Sequence, residues 1–124
     1  MNAADPDHAR CVDVWRDVRA QIVTVEGVLA EASYLLRRAL GGPAAAIKLA
    51  LGVGARLVPA PEPRLRRATG LLETYRDVPM DLVDALLVVS AEEMRISEIL
   101  TLDERGFRTY RIGGRRSFQM LPRR

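Results

Sequence analysis

Residues 79–107 read PMDLVDALLVVSAEEMRISEILTLDERGF, and the fold turns on them. Leu82, Ala85, Leu86 and Val89 recur at helical spacing, which predicts a helix with one buried face. Asp81 and Asp84 stand three apart at its start, on a neighbouring stripe. Acids there complement the helix dipole, and Asp81 is placed to cap the helix. Asp84 is harder to account for. It lies deeper, among Leu82, Val83, Ala85, Leu86 and Leu87, where a carboxylate is costly unless paired, hydrogen-bonded or bound to a metal. From Ile96 to Leu102 the chain reads as a short apolar strand, and Asp103 follows directly. In an open parallel sheet, ligands sit in the crevice outside the carboxyl ends of the strands. One acid at a helix start and one at a strand end are therefore expected at the same rim.

Upstream, Arg64 to Arg76 is expected as a helix with Leu65, Ala68, Leu71, Leu72 and Tyr75 inward. Arg64, Arg66, Arg67 and Glu73 form its solvated, mixed-charge side. Pro59, Pro61 and Pro63 break the chain before it. Arg56 to Val58 is expected as a strand, reached through Gly52 and Gly54 from a short helix over Pro43 to Leu51. That G-x-G lacks the further glycine and helix start of a nucleotide loop and reads as a turn. A longer helix is expected from Val25 to Leu40, with Val28, Leu29, Ala32, Leu35 and Leu36 buried and Gly41-Gly42-Pro43 ending it. Glu31 borders that face. On this helix alone it reads as an edge residue reaching solvent along its own methylenes.

Gln21 to Thr24 is expected as a short strand, and Asp5-Pro6-Asp7 opens a first helix running to Arg19. His8, the chain's one histidine, reads as an exposed first-turn residue rather than a base or ligand. Downstream of Phe107, Tyr110 and Ile112 lead to a hairpin or loop at Gly113-Gly114. Phe118 to Leu121 is expected as a short edge strand closed by Pro122. Strands alternating with helices indicate an α/β layer fold with a mostly parallel sheet.

Length and composition bound the function. At 124 residues the chain is expected as one domain, 1–124, with a single core. Hydrophobic residues at 48% and charged residues at 28% are ordinary globular values. No apolar run approaches a membrane span, and MNAADPDHAR is no secretory signal. Cys11 is alone, so it forms no intramolecular disulfide and reads as a small core residue. The expected location is cytoplasmic. Net charge is +3, unevenly placed: no acid follows Glu104, while Arg105, Arg108, Arg111, Arg115, Arg116, Arg123 and Arg124 do. Such a tail suits phosphate backbone, a solubilising surface, or an acidic partner equally. Lys48 is the only lysine, so the arginine preference is chain-wide.

Asp84-Ala85-Leu86, followed by Thr101-Leu102-Asp103 with Phe107, resembles the C-terminal half of PIN-domain ribonucleases, most closely the VapC-type toxins of toxin–antitoxin pairs. Spacing and the order of upstream elements agree. The resemblance implies a three-layer α/β/α, Rossmann-like fold. It also implies a metal-site Glu on the helix after the second strand, where Glu31 stands in VLAEASYLL. One departure is large: the family begins with an apolar central strand ending in aspartate, and Met1-Asn2 lines up beyond it. About 10–15 residues, a strand with its turn, are expected to be missing by typical element lengths. Asp5 and Asp7 belong to the first helix's start and do not replace that acid. A start assigned too late is the favoured explanation, ahead of a degenerate copy or a second segment filling the gap.

The resemblance further implies that Glu31, Asp84 and Asp103, with Asp81 nearby, form an acidic cluster. Carboxylates without thiolates or a histidine pair suit hard Mg2+ or Mn2+ rather than zinc. The implied reaction is endonucleolytic hydrolysis of RNA, with Glu31, Asp84 and Asp103 catalytic, Glu31, Asp81, Asp84 and Asp103 as metal ligands, and Arg105, Arg108, Arg111, Arg115 and Arg116 as RNA contacts. Thr101 reads as an ordinary β-branched strand residue. The implied partners are a cognate antitoxin and a second copy of the chain, with no membrane. An interaction protein of the same fold, catalytically impaired, is the competing class. A basic RNA-binding module without catalysis is disfavoured by an aromatic content of 5%, too low for a stacking platform.

Overall fold

Two parallel strand pairs and one antiparallel hairpin, each two-stranded, carry the α/β character of the chain among the described residues. The structure is a computed structural model and describes residues 22–101 and 104–121, Glu104 by its backbone alone. The expected first helix, with His8 and Cys11, and the residues Leu102 and Asp103 lie outside the described residues. The chain divides into two compact units, Met1–Pro59 and Ala60–Arg124.

In the first unit, β1 (Val23–Thr24) runs parallel to β2 (Arg56–Leu57), with Val23 opposite Arg56 and Thr24 opposite Leu57. The Arg56 and Val58 N–H groups donate to the Ile22 and Thr24 carbonyls, each at 2.8 Å. Parallel strands need a long crossover. Here it contains α1 (Glu26–Leu35) and α2 (Ala44–Gly52), which pack on each other. α1 ends five residues before the expected Leu40. Past Leu35 the chain continues in i→i+3 turns, Arg37 N–H to Tyr34 C=O and Ala39 N–H to Leu36 C=O. Gly41 and Gly42 then take φ of +90° and +63°, which glycine adopts without strain. The inward stripe runs Val25, Leu29, Ala32 and Leu36, of which Val25 and Leu36 are buried. Leu35, expected inward, is 74% exposed: it lies four residues from Glu31, on the stripe rotated away from Leu36.

In the second unit, α3 (Glu62–Thr74) starts two residues earlier than expected, because Pro61 stands at the N-cap and Pro63 within the first turn. Proline suits that turn, where N–H groups lack partners in any case. α4 (Leu82–Met94) packs on α3, with Ala68 and Leu71 of α3 and Ala85, Leu86, Val88, Val89 and Ala91 of α4 buried. Of the other residues expected inward, Leu72 and Tyr75 are half-buried and two are exposed. Leu65 is 41% exposed and Leu82, the first residue of α4, 49%. The charged side of α3 is solvated as expected at Arg66, Arg67 and Glu73, with Arg64 half-buried, and it also makes contacts that the helix alone does not show. Arg64 pairs with Glu93 at 2.7 Å and Arg67 with Glu92 at 2.9 Å, so two arginines tie α3 to α4. Arg66 alone of the three makes the surface pair along its own helix, with Glu62.

After α4 the chain forms β3 (Glu98–Leu100), α5 (Glu104–Thr109), β4 (Arg111–Ile112), β5 (Arg116–Ser117) and β6 (Gln119–Leu121). β3 is shorter than the expected Ile96–Leu102 and pairs in parallel with β6, Ile99 opposite Met120. β4 and β5 form the expected hairpin, with Gly113 and Gly114 at φ of +61° and +76°. No helix of the described residues is long and apolar enough to cross a membrane.

Arg95 closes α4 in the left-handed region, φ 55° and ψ 43°, the one non-glycine residue with positive φ among the described residues. A side chain there costs roughly 1–2 kcal/mol, partly returned by the greater unfolded-state freedom of glycine. Arg95→Gly is expected to raise the unfolding free energy by about 0.5–1 kcal/mol, read from a urea midpoint. A lowered midpoint would show that the arginine side chain stabilises more than its backbone costs.

Candidate active site

The start of α4 brings two of the expected acids together. Asp81 caps the helix in an extended conformation, φ −105° and ψ 179°. Its Oδ1 accepts the Asp84 N–H at 2.8 Å, and Asp84 Oδ2 accepts the Asp81 N–H at 3.1 Å. This reciprocal capping box, built here from two aspartates, satisfies two N–H groups that the helix itself leaves unbonded. The N-terminal end of the dipole also favours both charges. Asp84 thus has a structural role that its sequence position concealed. It is half-buried, whereas Asp81 is exposed.

A third side chain reaches this box from outside the helix. The Tyr110 hydroxyl donates to Asp84 Oδ2 at 3.4 Å, and Tyr110 is fully buried. Its ring meets Tyr75 and Phe107 edge-on, with centroids 5.3 and 5.1 Å apart. Phe107 in turn meets Phe118 edge-on at 5.3 Å. The Tyr75 hydroxyl accepts the Arg111 N–H at 3.0 Å, tying the aromatic cluster to β4. Sequence reasoning missed Tyr110. The available signal was its position three residues after Phe107, but Gly106 and the shortness of ERGFRT disguised α5.

Glu31 stands in the first unit, exposed on α1, where it lines a shallow depression of about 460 Å³ with Ala30, Tyr34 and Leu35. Thr101 follows β3 and gives its N–H to the Leu121 carbonyl at 3.0 Å. Asp103 lies outside the described residues. Arg105, Arg108, Arg115 and Arg116 are exposed on α5 and the β4–β5 hairpin. Arg111 differs from them. Its Nη1 donates to the Arg108, Thr109 and Tyr110 carbonyls at 2.7, 3.1 and 3.0 Å, so it closes the C-terminal end of α5.

Among the described residues no three His, Cys, Asp or Glu side chains gather as a metal-binding group. The Asp81 and Asp84 carboxylates at the start of α4 nonetheless supply oxygen donors of the kind a hard divalent cation takes, with the Tyr110 hydroxyl behind one of them as a proton donor. The two carboxylate charges also offset the positive end of the helix dipole, which would otherwise repel a cation.

Three comparisons bear on this geometry. The PIN domain family model matches residues 1–112. Ribonuclease VapC26 of Mycobacterium tuberculosis (strain ATCC 25618 / H37Rv) is 34% identical over 128 aligned positions, covering 98% of this chain and 92% of that protein. The crystal structure of Mycobacterium tuberculosis VapC20, described as a sarcin-ricin loop cleaving toxin, superposes with a TM-score of 0.75 at 22% identity. That match covers 85% of this chain and 82% of VapC20.

Proposed function

The chain belongs to the PIN-domain family, as a ribonuclease of the VapC type, and from that premise we propose a Mg2+- or Mn2+-dependent endoribonuclease acting as the toxin of a toxin–antitoxin pair. The observation that supports a site at α4 is the Asp84 carboxylate, half-buried and held by the Asp81 N–H in the Asp84-Ala85-Leu86 segment. In this reading Asp84, Glu31 and Asp103 hold the cation and Asp81 supports them. A bound divalent cation would supply Lewis-acid polarisation of the phosphodiester and acidify the attacking water. The protein's own part is to fix carboxylates in place before RNA arrives. Fixed oxygen donors need no reorganisation as charge develops in the transition state.

Arg105, Arg108, Arg115 and Arg116 are proposed to hold the RNA backbone, a contact that orients substrate without reading its bases. Arg111 already directs its Nη1 at three backbone carbonyls, so holding the end of α5 is its first role. A cognate antitoxin and a second copy of the chain are the proposed protein partners, in the cytoplasm. Their support is the exposed apolar side chains of the first unit: Tyr34, Leu35, Leu40 and Leu51 are 64, 74, 103 and 66% exposed. The competing reading, an impaired interaction protein, shares that surface and differs in predicting no cleavage.

Labelled structured RNA incubated with the chain and Mn2+ separates the two. Cleavage that EDTA stops and added Mn2+ restores is expected. Cleavage indifferent to EDTA would overturn the metal dependence, and no cleavage at any Mn2+ concentration would overturn the nuclease in favour of the interaction protein.

A further inference from the structure

We infer that Tyr110 is a positioning residue, its hydroxyl setting the plane of the Asp84 carboxylate for cation binding. The inference rests on the proposed role of Asp84 as a cation ligand. Capping α4 requires only the exchange between Asp81 and Asp84, which the box completes. The Tyr110 hydroxyl is a further donor to the same oxygen, Oδ2, and comes from α5's end rather than from α4. Two donors from different directions on one oxygen remove the rotation that a single bond leaves. The orientation of Oδ1 is then set by the fold.

The hydroxyl is itself held in place. Tyr110 is fully buried, and a buried phenol donor is unfavourable without an acceptor. Edge contacts with Tyr75 and Phe107 fix the ring, so the hydroxyl has one position from which to donate. Partners one shell removed from a cation orient the ligands that touch it, and losing one costs roughly 10–100-fold in affinity or activity. At 3.4 Å the Tyr110 bond is long, which places its effect at the low end of that range.

Isothermal titration with Mn2+ tests this on the full chain, Tyr110→Phe and Tyr75→Phe, each checked by thermal melt. Tyr110→Phe keeps the ring contacts and is expected to raise the Mn2+ Kd by about 10-fold, with cleavage largely restored at saturating Mn2+. Tyr75→Phe removes a hydroxyl from the same cluster that bonds Arg111 instead, and is expected to leave the Kd unchanged. A Tyr110→Phe Kd within about twofold of the parent, or equal shifts in both variants, would overturn the inference while Mn2+ binding by the parent keeps the site reading intact. A merely structural hydroxyl would lower the melting temperature without moving the Kd. No Mn2+ binding by the parent would overturn both the inference and the reading beneath it.

Discussion

Phe107→Ala is expected to lower the unfolding free energy by about 3–5 kcal/mol. Phe107 is 2% exposed and joins Tyr110 to Phe118 through two edge-on contacts. Each such contact contributes about 0.5–1.5 kcal/mol beyond the area it buries. Truncation also leaves a cavity, because the residues around it are themselves fixed. Tyr110 and Phe118, at 0 and 7% exposure, meet the Phe107 ring edge-on and have little room to collapse inward. Against a typical total of about 5–15 kcal/mol, the loss is a large share. Urea unfolding of Phe107→Ala, beside Phe107→Leu, reads it directly. The leucine variant is expected to cost about 1.5 kcal/mol or less, since it conserves most of the volume. A Phe107→Ala cost under about 1 kcal/mol would mean that this aromatic cluster is not part of the core.

That cluster was also the part of the fold least legible in the sequence. α4 could be read because its apolar residues repeat with the helical period over thirteen positions and an aspartate precedes them. α5 is six residues with a glycine inside, too short for periodicity to declare itself. The end of α1 is hidden in the sequence for a related reason. Leu35, Leu36 and Leu40 continue the apolar pattern of the helix, but the chain unwinds in successive turns toward Gly41 and Gly42. Apolar content marks what can be buried and does not say where a helix stops. The arginines of α3 show the converse. Arg64 and Arg67 look like solvated charge along one helix, and only the position of α4 brings Glu93 and Glu92 opposite them. For the site, the acids of α4 were legible because each violates or completes a local rule. Tyr110 violates none, and its role depends on a contact across 26 residues of chain.

Asp84→Asn is expected to reduce Mn2+-dependent RNA cleavage by at least about 100-fold, equivalent to about 2.7 kcal/mol of transition-state stabilisation. The substitution keeps the shape of the side chain and an oxygen that accepts the Asp81 N–H, while removing the charge that a cation requires. Its stability cost is therefore modest, about 0.3–1 kcal/mol for the lost charge at the helix start. Asp81→Asn makes the contrast. Asparagine caps helices about as well as aspartate, so stability is expected to change by less than about 0.5 kcal/mol. Asp81 Oδ1 already accepts the Asp84 N–H, which leaves this residue a supporting part, and cleavage is expected to fall by about 10-fold or less. Initial rates at saturating Mn2+, with melting temperatures measured on the same preparations, separate capping from chemistry. If both variants cut like the parent, the carboxylates at the start of α4 serve the helix alone. If Asp81→Asn is the more damaged of the two while still folded, the cation is held by the cap and Asp84 orients it.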